Sequence, residues 1–211
     1  MGRPIFQRLW LARRVWYFLR RFCGGILYAD VFCNLEIMVT PRLETLCTAL
    51  AQALIARKLS MVTAESCTGG LIAASCTQLS GSSAWFERGF VTYSNAAKSE
   101  LLGVPAFLIE AQGAVSEEVA KAMALGALAH SPAHFSVAVT GIAGPTGGSD
   151  AKPVGTVWLA WAWRGSKQAL HSETMLRQFE GTRSEVRDAT AELALVHLTE
   201  LVEKTGKKIP T

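Results

Sequence analysis

The sequence lacks the spacings by which cysteine and histidine side chains usually hold a metal ion. Its five cysteines form no CxxC pair, and its four histidines form no HExxH motif or other short cluster. An odd number of cysteines without paired spacing also gives no disulfide framework and is typical of reduced thiols in the cytoplasm. We therefore expect no metal, no cofactor and a cytoplasmic location.

Long apolar runs are also missing. No uninterrupted apolar segment approaches the roughly 20 residues that a membrane-spanning helix needs. Residues 1–37 contain six arginines, no lysine and many aromatic side chains, and the arginines interrupt any apolar core of a signal peptide. We interpret them as a disordered extension, as a basic segment at a membrane surface, or as a start assigned upstream of Met38. This composition is lost after Met38, which favours the interpretation of a start assigned too far upstream. We expect no firm membrane association.

Residues 38–211 carry no net charge. Residues 1–37 hold six of the 21 basic and two of the 17 acidic residues, which leaves 15 of each sign in residues 38–211. A nucleic-acid partner needs a basic face. The balance therefore argues against nucleic-acid binding by a domain that we place at residues 38–205, before a tail at 206–211.

Hydrophobic periodicity within this domain alternates between helical and strand patterns. Early alternation followed by a late hairpin predicts an α/β fold, a three-layer α/β/α sandwich with a mixed, mostly parallel sheet. A capping box at Thr182 and Glu185 marks the start of the last helix. The predicted helices cover residues 41–58, 71–80, 95–102, 116–130 and 182–204, and the predicted strands cover 59–62, 86–93, 135–140, 154–163 and 169–177.

Three loops follow predicted strands, at Glu65–Gly70, Tyr93–Lys98 and Gly141–Ser149. Ligands of open α/β sheets bind at the carboxyl ends of the strands, so parallel strands would bring the three loops to one crevice. The first loop has two glycines at the start of a predicted helix, where free N–H groups attract anions. We predict that Thr68, Gly69, Gly70 and Gly141 contact a substrate; the alternative for the glycine pair is a tight turn without a ligand.

Hydroxyl groups and one amine are close together in the sequence, at Ser82, Ser83, Tyr93 and Lys98. A serine is a weak nucleophile until a base takes its proton, and a lysine is the available base because no histidine lies near these loops. Its reference pKa of about 10.4 would have to fall by burial or by a neighbouring cation. The alternative is that the serines cap a helix, Tyr93 packs in the sheet and Lys98 is solvated.

Two further groups of residues are candidates. Cys67, beside glycines at a helix N-terminus, is a rival nucleophile, although a buried structural thiol is the simpler interpretation. Arg183 and Arg187 lie in the first turns of the last helix, where a cation opposes the helix dipole. That placement makes an anion-binding role more plausible than it would be for an arbitrary surface arginine, although simple solvation remains the default interpretation.

Six motifs, in order over about residues 43–202, resemble those of the CinA C-terminal domain family. They are Ala64–Gly70, Gly81–Phe86, Gly89–Lys98, Gly113–Ser116, Thr140–Pro145 and Lys152–Val157. The resemblance implies an anticodon-binding-domain-like fold in its stand-alone form. It also implies hydrolysis of nicotinamide mononucleotide to nicotinic acid mononucleotide and ammonia, in the recycling of NAD.

The resemblance further implies a metal-independent serine and lysine mechanism, in which Ser83, Tyr93 and Lys98 match catalytic positions. Ser66, Thr140 and Arg183 match positions that bind substrate or support the site. We assign the nucleophile to Ser83, with Ser66 as the alternative, and expect a homo-oligomer whose partner is the small-molecule substrate. The competing function is a catalytically inactive nucleotide-binding module of the same fold.

Overall fold

A computed structural model describes residues 41–206, which contain six α-helices and five β-strands. The predictions for residues 1–37 and for the tail beyond residue 206 lie outside the described part. The helices are α1 (Pro41–Ile55), α2 (Leu71–Gln78), α3 (Asn95–Leu102), α4 (Ala106–Gln112), α5 (Glu117–Ala129) and α6 (Arg183–Thr205). The strands are β1 (Met61–Glu65), β2 (Phe86–Val91), β3 (Phe135–Gly141), β4 (Thr156–Arg164) and β5 (Leu170–Gln178).

The strands form one mixed sheet in the order β2-β1-β3-β4-β5. β1 pairs in parallel with β2 and with β3, whereas β4 is antiparallel to both of its neighbours. The carboxyl ends of β1, β2 and β3 therefore lie at the same edge of the sheet, which we call the carboxyl edge. Loops that leave these three strands are brought together there.

Helices cover both faces of the sheet and confirm the predicted three layers. Alternate residues of the strands point to opposite faces. Met61, Val137 and Trp161 pack in the core that holds α1, α2 and α6. Smaller side chains, Ala64 and Ala138 among them, pack in the core that holds α3, α4 and α5. β1 is buried at every position because it lies inside the sheet with helices on both sides.

Local signals in the sequence define several helix starts. The Thr182 side chain accepts a hydrogen bond from the backbone of Glu185, whose carboxylate accepts one from the Thr182 N–H, so the predicted capping box is confirmed. Ser116 caps α5 by accepting from Val119, and Ser94 caps α3 by accepting from Ala97. The start of α3 matters for the site because Lys98 lies in its first turn.

Two elements differ from the sequence prediction. The seven-residue helix α4 was not predicted, because it is too short to show a clear apolar period. β1 extends to Glu65 rather than ending at residue 62. A glutamate usually indicates a loop, yet Glu65 is fully buried at the end of this strand.

Helices α3 and α5 cross at very short range. A Cβ atom built on Gly126 of α5 would lie 2.1 Å from the carbonyl oxygen of Leu102, the last residue of α3. Only glycine allows this approach. None of the helices within residues 41–206 is both long and apolar enough to span a membrane.

Candidate active site

A cavity of about 190 Å³ lies at the carboxyl edge of the sheet, and all three predicted loops contribute to its lining. It is open to solvent on one side. Six residues predicted from the sequence line it: Ser66, Tyr93, Lys98, Thr140, Gly141 and Arg183. Asn95, Ala114, Val115 and Ala143 line it as well but were not singled out. Asn95 lies inside a predicted loop, and that position is the one signal that could have identified it.

The inner end of the cavity holds a buried serine and a buried lysine in contact. Lys98 Nζ is hydrogen-bonded to Ser66 Oγ at 3.1 Å, and Lys98 is only 1% exposed. The same nitrogen donates to the carbonyl oxygens of Thr92 at 2.9 Å and of Tyr93 at 3.4 Å. Burial lowers the pKa of Lys98 below its usual value of 10.5. Loss of solvent therefore favours the neutral amine, which is the form that can accept a proton.

The outer end of the cavity holds a tyrosine and an arginine. Arg183 Nη2 donates to the Tyr93 hydroxyl at 3.1 Å, and its Nη1 donates to the carbonyl of Gly144 at 2.9 Å. Tyr93 is 62% exposed, so its hydroxyl remains accessible at the mouth of the cavity. The guanidinium group comes from the first residue of α6, so this helix also contributes to the lining of the cavity.

Side-chain hydrogen bonds hold the wall formed by the loop before α5. Thr140 Oγ1 donates to the carbonyl of Ala114 at 2.7 Å. Lys152 Nζ donates to the carbonyls of Val115 at 2.7 Å and Gln112 at 3.1 Å. These bonds join the wall to β3 and to the segment between β3 and β4.

Gly141 faces a close approach of β4. A Cβ atom built there would lie 2.8 Å from the Thr156 carbonyl oxygen. The absence of a side chain at this position lets the ends of β3 and β4 approach closely beside the cavity.

The predicted anion site at Thr68, Gly69 and Gly70 is already occupied by the protein itself. One oxygen of the Glu65 carboxylate accepts hydrogen bonds from the Thr68 hydroxyl at 2.7 Å and the Gly70 N–H at 3.0 Å. The Gly69 N–H donates to the carbonyl of Ser66 at 3.1 Å. None of these three residues lines the cavity. These groups therefore already have partners within the chain, and the substrate contact predicted for the three residues stays a prediction that this geometry does not favour.

Ser83 is separated from Lys98 by the full length of β2. It lies exposed in the 3₁₀ turn Ser82–Ala84 before this six-residue strand, whereas Lys98 follows the strand. The two ends of β2 are roughly 20 Å apart at the usual rise per residue. The structure therefore does not bring Ser83 to the cavity, because residues close in sequence on either side of a strand lie at opposite edges of the sheet.

Cys67 lines the cavity but is unsuited to act as a nucleophile. Burial, as the main cause, raises the pKa of its thiol to about 12. The reactive form of a cysteine is the thiolate, so this thiol is inert near neutral pH. Among residues 41–206, no three His, Cys, Asp or Glu side chains are grouped closely enough to hold a metal ion.

Residues 43–202 match the CinA C-terminal domain family. The nicotinamide-nucleotide amidohydrolase PncC of Pseudomonas putida is 54% identical over 159 residues, which are 75% of this chain and 96% of the relative. The protein of the same name from Escherichia coli K12 is 48% identical over 158 residues, 75% of this chain and 93% of the relative.

Solved structures show the same fold. Competence/damage inducible protein CihA from Agrobacterium tumefaciens is similar with a TM-score of 0.72 and 45% identity, over 78% of this chain and 98% of that one. Competence damage-inducible protein A (ComA) from Klebsiella pneumoniae is similar with a TM-score of 0.72 and 39% identity, over 76% of this chain and 97% of that one.

Proposed function

Because the chain belongs to the CinA C-terminal domain family, we propose that it hydrolyses nicotinamide mononucleotide to nicotinic acid mononucleotide and ammonia. The names of its relatives support this substrate. The proposal rests mainly on the buried hydrogen bond between Lys98 Nζ and Ser66 Oγ. Amide hydrolysis needs an activated nucleophile beside a base, and these two atoms supply both. The activity would belong to the recycling of pyridine nucleotides.

The hydrogen bonds of Lys98 suit a general base. A neutral amine has two N–H groups and one lone pair. In the structure Nζ donates to the Ser66 hydroxyl as well as to the carbonyls of Thr92 and Tyr93. Once the amine is neutral, the two carbonyls accept its two N–H groups, and the lone pair is left for the hydroxyl proton of Ser66. In this state the serine donates to the lysine, and the burial that lowers the pKa of Lys98 favours this state.

The reaction then proceeds in two halves. Ser66 Oγ attacks the carboxamide carbon while Lys98 takes the hydroxyl proton. The tetrahedral intermediate collapses, the C–N bond breaks, and the proton held by Lys98 passes to the departing ammonia. Water attacks the resulting ester, Lys98 takes a proton from this water, and Ser66 recovers the proton as the carboxylic acid is released. Tyr93, whose oxygen accepts from Arg183, retains its own proton for donation to the substrate.

The phosphate of the substrate is assigned to Arg183. None of the ion pairs within residues 41–206 involves this guanidinium, so its positive charge has no carboxylate partner there. A charge-assisted hydrogen bond to phosphate would satisfy it. This orientation directs the carboxamide inward to Ser66 and the phosphate outward to α6.

The test incubates the purified full chain with nicotinamide mononucleotide and measures ammonia and nicotinic acid mononucleotide. Both products should appear in equal amounts. Because Lys98 supplies the base, we expect activity to persist in the presence of a chelator. Tight binding of the mononucleotide without any ammonia would instead identify an inactive binding module, and activity that is lost with chelator and restored by zinc or magnesium would contradict the mechanism.

A further inference from the structure

Glu65 is a fully buried acid that the proposed reaction does not use. It ends β1, next to Ser66, and it does not line the cavity. One carboxylate oxygen accepts from the Thr68 hydroxyl at 2.7 Å and from the N–H groups of Gly70 and Ile72 at 3.0 Å each. The other accepts from the Ala73 N–H at 2.8 Å. Burying a charge is unfavourable unless hydrogen bonds compensate it, and four of them do so here.

Three of these donors, the N–H groups of Gly70, Ile72 and Ala73, are groups that a helix leaves free at its N-terminus. The first turns of α2 would otherwise attract an anion from solution. Glu65 fills that position from within the chain. Its carboxylate therefore locks the junction between β1 and α2, and it excludes the substrate's phosphate from this turn.

Ser66 lies within the locked junction. Its N–H donates to the carbonyl of Val139 at 3.0 Å, and its own carbonyl accepts from the Gly69 N–H at 3.1 Å. The first bond ties Ser66 to β3, and the second ties it to the turn that Glu65 holds. The backbone of Ser66 is thus fixed on both sides, which fixes the direction of its Cα–Cβ bond, and the contact with Lys98 Nζ then holds the hydroxyl.

A second charged group holds the same turn from outside. Arg187 of α6 donates to the Thr68 carbonyl from Nη2 at 2.7 Å and from Nε at 3.2 Å. Thr68 is therefore tied through its hydroxyl to Glu65 and through its carbonyl to α6. This helix also carries Arg183 at its first residue, so one element positions the turn and contributes to the cavity.

We propose that Glu65 is a positioning residue that holds Ser66 Oγ at Lys98 Nζ. The inference rests on the proposed function, because it assigns Ser66 as the nucleophile. Loss of the carboxylate should let the Ser66 turn shift while the surfaces that bind substrate stay in place. A displacement of about 1 Å can cost roughly a hundredfold in rate. The expected signature is a lower kcat at nearly unchanged KM.

The principal variant is Glu65→Gln, which keeps the shape but turns an amide NH₂ toward the donors of α2. We expect kcat for nicotinamide mononucleotide to fall by roughly ten- to a hundredfold, with KM within about twofold of the unmodified chain. Near-ultraviolet circular dichroism gives the folded fraction. Glu110→Gln, at an exposed position on α4, is the matched control and should leave both constants unchanged. A folded Glu65→Gln variant with unchanged kcat, or with an altered KM alone, would overturn the inference.

Two further variants keep the test decisive if Glu65→Gln does not fold. Thr68→Val removes one donor to the carboxylate and should lower kcat in the same direction by a smaller factor; an unchanged kcat in the folded variant would again overturn the inference. Glu65→Ala leaves a space that formate can fill. Sodium formate, but not sodium chloride at equal ionic strength, should raise its kcat in a saturable way, and no response to formate would count against the inference.

A second readout separates this inference from the proposed function. A fluorophosphonate, which phosphonylates activated serines with loss of fluoride, should label Ser66, and intact mass measures the labelling rate. Labelling without turnover of the mononucleotide would refute the proposed substrate alone. The slower labelling expected for Glu65→Gln would then still support the inference. If the unmodified chain is neither labelled nor active, the pairing of Ser66 with Lys98 fails, and this inference fails with it.

Discussion

Lys98 Nζ lies 3.1 Å from Ser66 Oγ although 32 residues separate them in the sequence. The parallel pairing of β1 with β2 makes this contact, because it brings the segments after the two strands to one edge of the sheet. α3 then directs Lys98 back toward the end of β1. The chemistry of the site follows from this pair, and the first two predictions test its two members.

Replacing Ser66 with alanine should abolish turnover. Ser66→Ala removes the attacking oxygen, so kcat for nicotinamide mononucleotide should fall by at least about a thousandfold. Ser83→Ala is the matched control, since Ser83 is exposed at the other edge of the sheet, and its kcat should stay close to that of the unmodified chain. Ammonia release measures both. An inactive Ser83→Ala variant beside an active Ser66→Ala variant would reverse the assignment.

The pH profile should report Lys98. Only the neutral amine takes the proton of Ser66, so kcat/KM should rise with pH as Lys98 loses its proton. Because burial lowers the pKa of Lys98, the midpoint of the rise should lie below 10.5. Lys98→Arg should be almost inactive, because arginine stays protonated. Lys121→Arg, at an exposed position on α5, should keep the profile. Activity that falls with pH over this range would exclude Lys98 as the base.

Arg183 should discriminate between substrates with and without a phosphate. A hydrogen bond to a charged group contributes about 1.5–3 kcal/mol, so Arg183→Ala should lower kcat/KM for the mononucleotide by roughly ten- to a hundredfold. Nicotinamide riboside lacks the phosphate, and the same substitution should affect it much less. Arg177→Ala, exposed on β5, is the control. Equal losses on both substrates would show that Arg183 acts through Tyr93 and Gly144 rather than on the phosphate.

His134 should make the stability of the fold depend on pH. Its Nδ1 accepts from the N–H of Ser60 at 3.1 Å, and burial, with a smaller effect of Arg164, lowers its pKa below 6.5. The unfolded chain therefore binds a proton more readily than the folded chain. The free energy of unfolding should fall as the pH drops from 6.5 through the lowered folded pKa. Urea unfolding at a series of pH values measures this.

His134→Asn provides the comparison for that experiment. The asparagine keeps an acceptor near the position of Nδ1 but does not titrate. We expect its unfolding free energy to lose the part of the pH dependence that lies below 6.5. A pH dependence identical in the two chains would assign the effect to other groups.

Patterns within single elements were predictable, whereas contacts between elements were predicted only in part. The capping box of Thr182 and Glu185 and the five strands could be predicted because they depend on neighbouring residues. The convergence of the three loops followed from a general property of parallel sheets. The pairing of Ser66 with Lys98 depends on the side of α3 that faces β1, which periodicity does not specify. Ser83 is closer to Lys98 in the sequence than Ser66 is, and this closeness favoured Ser83 as the nucleophile.

Glu65 shows a second limit of sequence-based reasoning. The sequence predicts an anion site at the N-terminus of α2, but it predicts the substrate as the anion. A charged side chain a few residues before two glycines is typical of an exposed loop, and only the geometry of α2 shows that its N–H groups compensate a buried carboxylate. The anion at this helix N-terminus is therefore a side chain of the protein itself and not the bound substrate that the sequence pattern predicts.

The close crossing at Gly126 makes the chain intolerant of substitution at a position outside the lining of the cavity. Lys98 and Leu102 lie one turn apart on the same side of α3, so a displacement of Leu102 would be transmitted to the lysine. Even a single methyl group at position 126 would meet the Leu102 carbonyl at 2.1 Å and force α3 away from α5. A screen for loss of activity would therefore recover substitutions at Gly126 alongside those at Ser66, although one residue has no side chain and the other carries the reacting oxygen.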